Sequence, residues 1–466
     1  MCALEKPVVS NQPRVLCLAT DYWLLTTFSM YLTHLNLTNF KNYARLSLEL
    51  TTGTLVVHGA NAQGKTNFLE AIYYLATTRS ISPQTDAQLM NWVAQQSELP
   101  FTRILAHAKR ASKSDETQQF EVVMSREGAS SAPHHTAERR GPYALARDTG
   151  EGGGGARLRK VLKFNNVTQR ASDWAGKLLV VLFTPTDLEL VTGAPSLRRQ
   201  YLDHAISQLD TKYGEALSLY TKVLAQRNQH LKQLQERGGD VKSVHLWDDQ
   251  LVTHGTYLVM QRQIVVTKLD ELLQMIHPQL TRERLRLLYR PNLDVGSQLD
   301  YQLPLTMGGD FSATFHQPEL DTGDVAAHFY ARLQEGEARE LAQGITLAGP
   351  HRDELRFLVD GIDMNIYGSR GQQRSAALAL KLAELELLRA QTGEQPILLL
   401  DDVLSELDAA RRRYLIQRID AHEQTMLTTT DLAEYAGQFT RPVRVLRVDA
   451  GIMTRAEGSE GMMTRA

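Results

Sequence analysis

At 466 residues the chain is long enough for two or three domains, each able to bury its own core. Apolar residues make up 42%, charged residues 22%, and the net charge is −2, which fits a soluble globular protein and excludes a uniformly basic nucleic-acid binder. The two cysteines, Cys2 and Cys17, precede every recognisable element, which excludes a disulfide framework or a cysteine metal site and suits a reducing cytosol.

Residues 1–29 carry little pattern. The most membrane-like stretch, Leu16 to Leu32, is interrupted by Asp21 and several threonines, so it is neither a clean span nor a signal core. Met30 is a second candidate start, which makes 1–29 an extension expected to be disordered. From Met30 to Leu37 a strand-like alternation begins, and it returns at Leu46–Leu50. Thr54–His58 reads as a short buried strand running into a Gly-rich turn and a helix with Phe68, Leu69, Ile72, Tyr73 and Leu75. Residues 111–157 read as a loop or disordered insertion, with the run Gly152–Gly155. The flanking runs 119–124 and 160–164 predict a hairpin at a sheet edge, followed by a turn at Asn165-Asn166.

From about 196 to 278 the period becomes helical. Leu217, Tyr220, Leu224, Leu231 and Leu234 fall on a 3–4 spacing that Arg227 breaks, and Gly238-Gly239 ends that helix. A second helix carries Leu251, Leu258, Val265, Leu269 and Leu272 and is limited by Pro278. Two antiparallel helices are expected, either as the core of a helical subdomain or as an arm for a partner. Strand signals resume at Leu355–Val359, a long helix covers roughly 371–391, and an apolar strand follows at 397–400. The tail repeats Met-Thr-Arg-Ala at 453 and 463 in a low-complexity setting.

Three segments carry chemistry. Gly59-Ala60-Asn61-Ala62-Gln63-Gly64-Lys65-Thr66 fits G-x-x-x-x-G-K-[ST] in full. Its glycines let successive backbone N–H groups curl inward on phosphate oxygens, and the following helix adds its positive end. Lys65 is placed for the β- and γ-phosphates and the Thr66 hydroxyl for Mg²⁺. Ile397-Leu398-Leu399-Leu400-Asp401-Asp402 is a buried strand ending in two carboxylates, where α/β folds hold ligands. Asp401 is the candidate Mg²⁺ partner and Asp402 the group that polarises an attacking water. Ser369-Arg370-Gly371-Gln372-Gln373 opens a helix, which offers a hydroxyl and bare N–H groups to an anion; by itself it is a helix cap.

In their order, Gly59–Thr66, Ser369–Gln373, Leu398–Asp402 and Ser405-Glu406-Leu407-Asp408 resemble the Walker A, signature, Walker B and D-loop motifs of an ABC-type ATPase. Ser369, Gly371 and Gln372 match the signature, with Arg370 in place of its first Gly. The gap of more than 300 residues between Walker A and Walker B resembles the split heads of SMC-like proteins. Within that group the chain resembles the RecF family. That resemblance rests on Leu37–Tyr43, the Gly59–Thr66 loop, Ala348–Leu355, Tyr367–Ala376 and Leu398–Asp408. Asp402 stands where the ABC glutamate is usual, and Thr428-Thr429-Thr430-Asp431 where its switch histidine is usual. The extension and the Gly-rich insertion fall outside the family pattern.

The resemblance implies an α/β fold: an ABC-type, SMC-like P-loop head with an inserted, mainly helical second domain. The expected division is 1–29 extension, 30–195 head, 196–324 arm, 325–450 head and 451–466 tail. The resemblance implies ATP and Mg²⁺ as cofactors, weak DNA-stimulated ATP hydrolysis and an ATP-dependent homodimer in which Ser369 and Gly371 cap the partner's γ-phosphate. It further implies a cytoplasmic protein of DNA repair, replication and the SOS response, with no membrane. It would bind gapped DNA or duplex–single-strand junctions, work with RecO- and RecR-like mediators, and help load RecA. A transporter subunit is disfavoured by the split head, and an SMC-like tether by the shortness of the arm. The histidines, His134-His135 and His351 among them, form no spaced ligand set. Arg282, Arg284, Arg286 and Arg290 alternate with apolar residues, either as a basic face for DNA or as a solvated strand face; Arg411–Arg413 read as solvated.

Overall fold

The computed structural model describes residues 28–81, 85–97, 99–110, 116–127, 157–293, 320–432 and 438–455. The expectations for 1–27, for His134-His135 and Gly152–Gly155, and for 456–466 lie outside the described residues.

In chain order, β1 (Phe28–Phe40), β2 (Tyr43–Glu49) and β3 (Gly53–His58) lead into α1 (Lys65–Thr77). Next come β4 (Phe101–Arg110), β5 (Thr117–Glu127), β6 (Arg157–Phe164), β7 (Val167–Gln169) and β8 (Val180–Phe183). Four helices follow: α2 (Leu188–Thr192), α3 (Pro195–Leu209), α4 (Thr211–Arg237) and α5 (Asp248–Leu280). After them stand β9 (Leu285–Arg290), α6 (Thr322–Gln343), β10 (Glu354–Val359), β11 (Ile362–Asp363), α7 (Met364–Tyr367) and α8 (Arg370–Thr392). The chain closes with β12 (Glu394–Gln395), β13 (Ile397–Asp401), α9 (Ala409–Asp420), β14 (Gln424–Thr429), β15 (Val443–Asp449) and β16 (Ile452–Arg455).

Two large sheets form the head. The first, in the order β12-β1-β4-β5-β6-β7 with β2 paired to β1, is antiparallel apart from the short β1–β12 contact. Its hydrophobic alternation puts Leu35, Leu37, Ile104 and Ala106 on one buried face, which packs towards α1. Asn165 and Asn166 both take positive φ (47° and 64°), which suits the tight hairpin joining β6 to β7.

The second sheet, β16-β15-β3-β14-β13-β8, is parallel except at β16. Covered on both sides, β8 is apolar throughout and β13 is apolar up to Asp401, whereas β14 is equally buried but carries Gln424, Thr425, Thr428 and Thr429. Leu399 and Met426 enter the core beneath the first sheet, whereas Leu398, Leu400 and Leu427 enter the core shared with the helices. Sequence-distant halves thus meet: β3 lies on one side of β14 and β13 on the other.

In the arm, α4 and α5 are antiparallel, because Arg227 meets Asp248 near one end and Tyr213 meets Arg262 near the other. Arg227 does not simply break an apolar seam. Its side chain is 1% exposed and donates to Asp248, to Glu340 of α6 at 2.6 Å, and to the Thr346 hydroxyl at 2.8 Å. Glu340, wholly buried, also accepts from the Leu347 amide at 2.7 Å.

Several boundaries differ from the expectation. Strand β5 occupies Thr117–Glu127, longer at both ends than the run expected at 119–124, and β1 begins at Phe28. Pro278 does not stop α5 at once, since the helix continues to Leu280; the ring forfeits one i→i−4 hydrogen bond, and the helix ends two residues later. The 324/325 boundary falls inside α6, which packs on α4 and α5, so the helical layer extends past it. Ile452–Arg455 is a strand on β15 rather than the start of a tail. Of the alternating arginines, Arg286 is tied to Asp270 at 2.8 Å. Arg411 is paired with Asp408, and the side chains of Arg412 and Arg413 donate to backbone carbonyls.

Truncating Arg227 to Ala should cost about 3–5 kcal/mol, because it leaves Glu340 buried without its charge partner. Chemical denaturation of the variant checks this; an unchanged midpoint would show that the cluster does not hold the arm together.

Candidate functional site

The Gly59–Thr66 loop leaves the C-terminal end of β3 and enters α1 directly. Gly64 sits at φ +113°, a conformation side chains rarely adopt, and a Cβ there would come within 2.3 Å of Asn42 Nδ2. The loop is held from outside. Asn42 Nδ2 donates to the Gln63 carbonyl at 2.8 Å, and its Oδ1 accepts from Asn67 at 2.7 Å. Tyr43 OH donates to the Gly64 carbonyl at 2.9 Å, and the Ala450 amide donates to the Gln63 side chain at 2.6 Å. Asn42 and Tyr43 belong to the Leu37–Tyr43 motif, whose role was not legible from the residues themselves.

Lys65 folds back on its own loop, donating to the Gly59 carbonyl at 2.8 Å and the Ala60 carbonyl at 2.9 Å. Burial pulls its ammonium below the usual range, against the opposing pull of Asp402 and Asp401. The Thr66 hydroxyl lies 3.0 and 2.9 Å from the two Asp401 oxygens. Thr428 at the end of β14 donates to Asp401 at 2.7 Å and accepts from the Asp402 amide at 3.1 Å. Asp402 itself takes φ 51°, and its Oδ1 is buried without a hydrogen-bond partner. Burial pushes its carboxyl pKa up, with Ser405 and Lys65 opposing. A hydroxyl and a carboxylate within 3 Å form the oxygen donor set that a hard divalent cation takes. These residues therefore fit Mg²⁺, held by Thr66 and Asp401. Among the described residues no cluster of three or more His, Cys, Asp or Glu is placed to hold a metal. His351 is instead bonded to Tyr220 OH and the Thr346 carbonyl.

Ser369 caps α8: its hydroxyl accepts from the Gln372 amide at 3.3 Å while Gln372 Oε1 accepts from the Ser369 amide at 3.0 Å. Gln372 Nε2 also donates to Glu283 at 2.6 Å. No hydrogen bond joins Ser369, Gly371 or Gln372 to the loop of the same chain, and Ser369 and Gly371 are exposed. Beside them Ile366 and Tyr367 are 67% and 74% exposed, an apolar surface that the motif pattern did not reveal.

The Ala348–Leu355 motif proves to be a structural lock. Arg262 of α5, 2% exposed at its side chain, donates to the Pro350 carbonyl at 2.6 Å, Asp353 at 2.8 Å and Asp203 at 2.8 Å. Asp353 also accepts from Tyr289 OH and from the Asn292 amide. Gly349 at φ +124° lies so near Tyr220 and Phe329 that a Cβ would come within 2.7 Å of both.

A family model described as RecF/RecN/SMC N terminal domain matches residues 31–454. The DNA replication and repair protein RecF of Chloroflexus aurantiacus is 39% identical over 431 residues, covering 91% of this chain and 99% of its own. The chain belongs to the RecF family. The RecF of Herpetosiphon aurantiacus is 37% identical over 434 residues, with 91% and 99% coverage. A solved structure described as the recombination mediator protein RecF-ATPrS in the RecFOR pathway superposes with a TM-score of 0.73 at 27% identity, covering 92% of this chain and 99% of that one. The fold of this RecF-family chain is therefore the ABC-type, SMC-like head with an inserted arm.

Asn42→Ala should raise the dissociation constant for a nucleoside triphosphate about tenfold, roughly 1.4 kcal/mol, by releasing the loop's outer support. Nucleotide titration and nucleotide-free melting are the measurements. Unchanged affinity would show that the loop keeps its shape alone.

Proposed function

We propose that this chain is an ATP-dependent DNA-binding protein of recombinational repair, acting as an ATP-gated dimer. The observation that carries the reading is the contact of Thr66 with Asp401, 335 residues apart, beneath a complete phosphate loop. ATP lies on the backbone amides of Gly59–Thr66, with Lys65 on the β- and γ-phosphates and Mg²⁺ on Thr66 and Asp401. Mg²⁺ held by Thr66 and Asp401 would offset phosphate charge. Lys65 exchanges its two loop carbonyls for phosphate oxygens, and Asp402, whose Oδ1 has no partner among the described residues, accepts a hydrogen bond from the attacking water.

Ser369, Gly371 and Gln372 reach no nucleotide of their own chain on this reading; they meet the γ-phosphate of a second copy. The exposed Ile366 and Tyr367 beside them supply apolar surface for that contact. The dimer binds gapped DNA or duplex–single-strand junctions and acts with RecO- and RecR-like mediators to assist RecA loading, in the cytoplasm and during the SOS response. Support comes from the DNA replication and repair role of the relatives and the RecFOR pathway of the similar structure. No helix among the described residues is long and apolar enough to cross a membrane.

Asp402→Asn should retain ATP binding and slow hydrolysis by roughly 100-fold or more, since the amide keeps the shape and loses the charge. Single-turnover hydrolysis measures this, and a parental rate would transfer the role to another group.

Ser369→Arg should leave ATP binding to a single subunit near normal and abolish ATP-induced dimerisation. Duplex binding should weaken with it, with a salt dependence shallower by about 0.9 in log–log slope for each phosphate no longer neutralised. Sedimentation with ATP and DNA titration across salt test this together. A variant that still pairs, or that binds DNA as tightly as the parent while monomeric, would sink the dimer reading.

A further inference from the structure

The antiparallel sheet of the head has two faces, and only one is buried. Opposite Leu35, Leu37, Ile104 and Ala106 the strand register lines up Arg45, Thr38, Arg103, Val123 and Val161 in one row across five strands. The next row holds Ser47, Asn36, Leu105, Glu121 and Lys163. Lys109 and Arg159 fall on the same face by alternation. Arg45 and Arg159 are exposed, and the side chains of Arg103 and Lys163 are 40% and 38% exposed.

Cations outnumber carboxylates on this face, with Arg45, Arg103, Lys109, Arg159 and Lys163 against Glu49 and Glu121, although the chain as a whole is near neutral. Glu121 is the carboxylate at its centre, and it is shared: Arg103 Nε approaches at 2.6 Å and Lys163 Nζ at 3.3 Å. Burial opposes its ionisation, yet these two cations hold it ionised below its usual pKa. One carboxylate between two cations fixes their positions and still leaves a positive surplus. Arg45 on β2 and Lys163 on β6 lie in adjacent rows, four strand spacings or about 19 Å apart across the sheet. That is close to the combined width of the roughly 12 Å major and 6 Å minor grooves of B-DNA.

The face also connects to the nucleotide loop. Strands β1 and β2 contribute Thr38 and Arg45 to it, and their hairpin carries Asn42 and Tyr43 onto the Gln63 and Gly64 carbonyls.

We propose that this outer sheet face, through Arg45, Arg103 and Lys163, binds the sugar–phosphate backbone of duplex DNA. The proposal rests on the DNA-binding reading above and adds the surface that reading lacks. Hydroxyl and amide groups of Thr38, Asn36 and Ser47 lie between the cations as further phosphate donors, so contact is with the backbone and not with base edges. Load on β1 and β2 then reaches the loop through Asn42 and Tyr43, which ties duplex binding to ATP turnover.

Two variants test this with a labelled duplex of random sequence, titrated with ATP across a salt series. Glu121→Gln removes the central carboxylate and should tighten duplex binding several-fold, a gain that misfolding does not produce. Arg45→Ala/Lys163→Ala should weaken binding, lower the salt slope by up to about 1.8, and remove duplex stimulation of ATP hydrolysis with basal hydrolysis kept. Lys222→Ala/Lys232→Ala, on the exposed side of α4, removes the same charge elsewhere and should match the parent. All variants should still dimerise with ATP by sedimentation. If the parent binds duplex DNA and both sheet variants bind as it does, the surface is wrong and the proposed function stands. A response confined to single-stranded DNA overturns the duplex assignment. A parent that binds no DNA removes the underlying reading as well.

Discussion

Everything at the site depends on one strand being flanked by two others. β14 pairs in parallel with β3 on one side and with β13 on the other. The register puts Thr428 beside both Val57 and Asp401, so the ends of β3 and β13 finish at the same level. Parallel strands leave their C-terminal ends together, and that edge is where a loop and a carboxylate can meet. Thr66 and Asp401 are close because of this sheet, not because of any local preference. The long intervening chain costs little once the sheet forms, since loop-closure entropy grows only with the logarithm of length.

The arm is bound to the head by charge as well as by apolar packing. Arg262 collects Asp203 from α3, Tyr213 from α4 and both Pro350 and Asp353 from the turn before β10. Arg227 does the same for α4, α5 and α6. Buried guanidinium groups held by several acceptors contribute modest net stability but fix one arrangement, because any slip strands a charge. The head–arm angle is thereby set by hydrogen-bond geometry, which apolar packing alone specifies less sharply.

The sequence pattern revealed what period and motif spacing encode. The alternation at Leu46–Leu50, the apolar run before Asp401 and the Gly59–Thr66 loop became β2, β13 and the strand–loop–helix of the site. It did not reveal what depends on distant partners. Arg227 read as a break in a seam because nothing local announces Glu340, more than a hundred residues on. Pro278 read as a stop, although α5 continues two residues beyond it to Leu280. Asn42 and Tyr43 carried only a motif match, because their partners, the Gln63 and Gly64 carbonyls, are backbone groups with no sequence signature. Ile366 and Tyr367 gave no period at all in a helix of four residues.

Local rules are broken most clearly at Asp402. A non-glycine residue at φ 51° costs on the order of 1–2 kcal/mol, and a buried unpaired oxygen about 1–3 kcal/mol more. Thr428 offsets part of this by accepting from the Asp402 amide, so the backbone is held although the carboxylate is not satisfied. A fold selected only for stability would relax one of the two: a glycine would remove the strain, and a serine or a neighbouring donor would remove the orphaned oxygen. Neither is present, while the flanking Asp401 has Thr66 and Thr428 as hydroxyl donors. Two adjacent aspartates are therefore treated oppositely by the same strand end. One accepts from two hydroxyls; the other is strained and keeps an oxygen without a partner among the described residues. That asymmetry supports the proposed division of tasks, with cation holding given to Asp401 and water polarisation to Asp402.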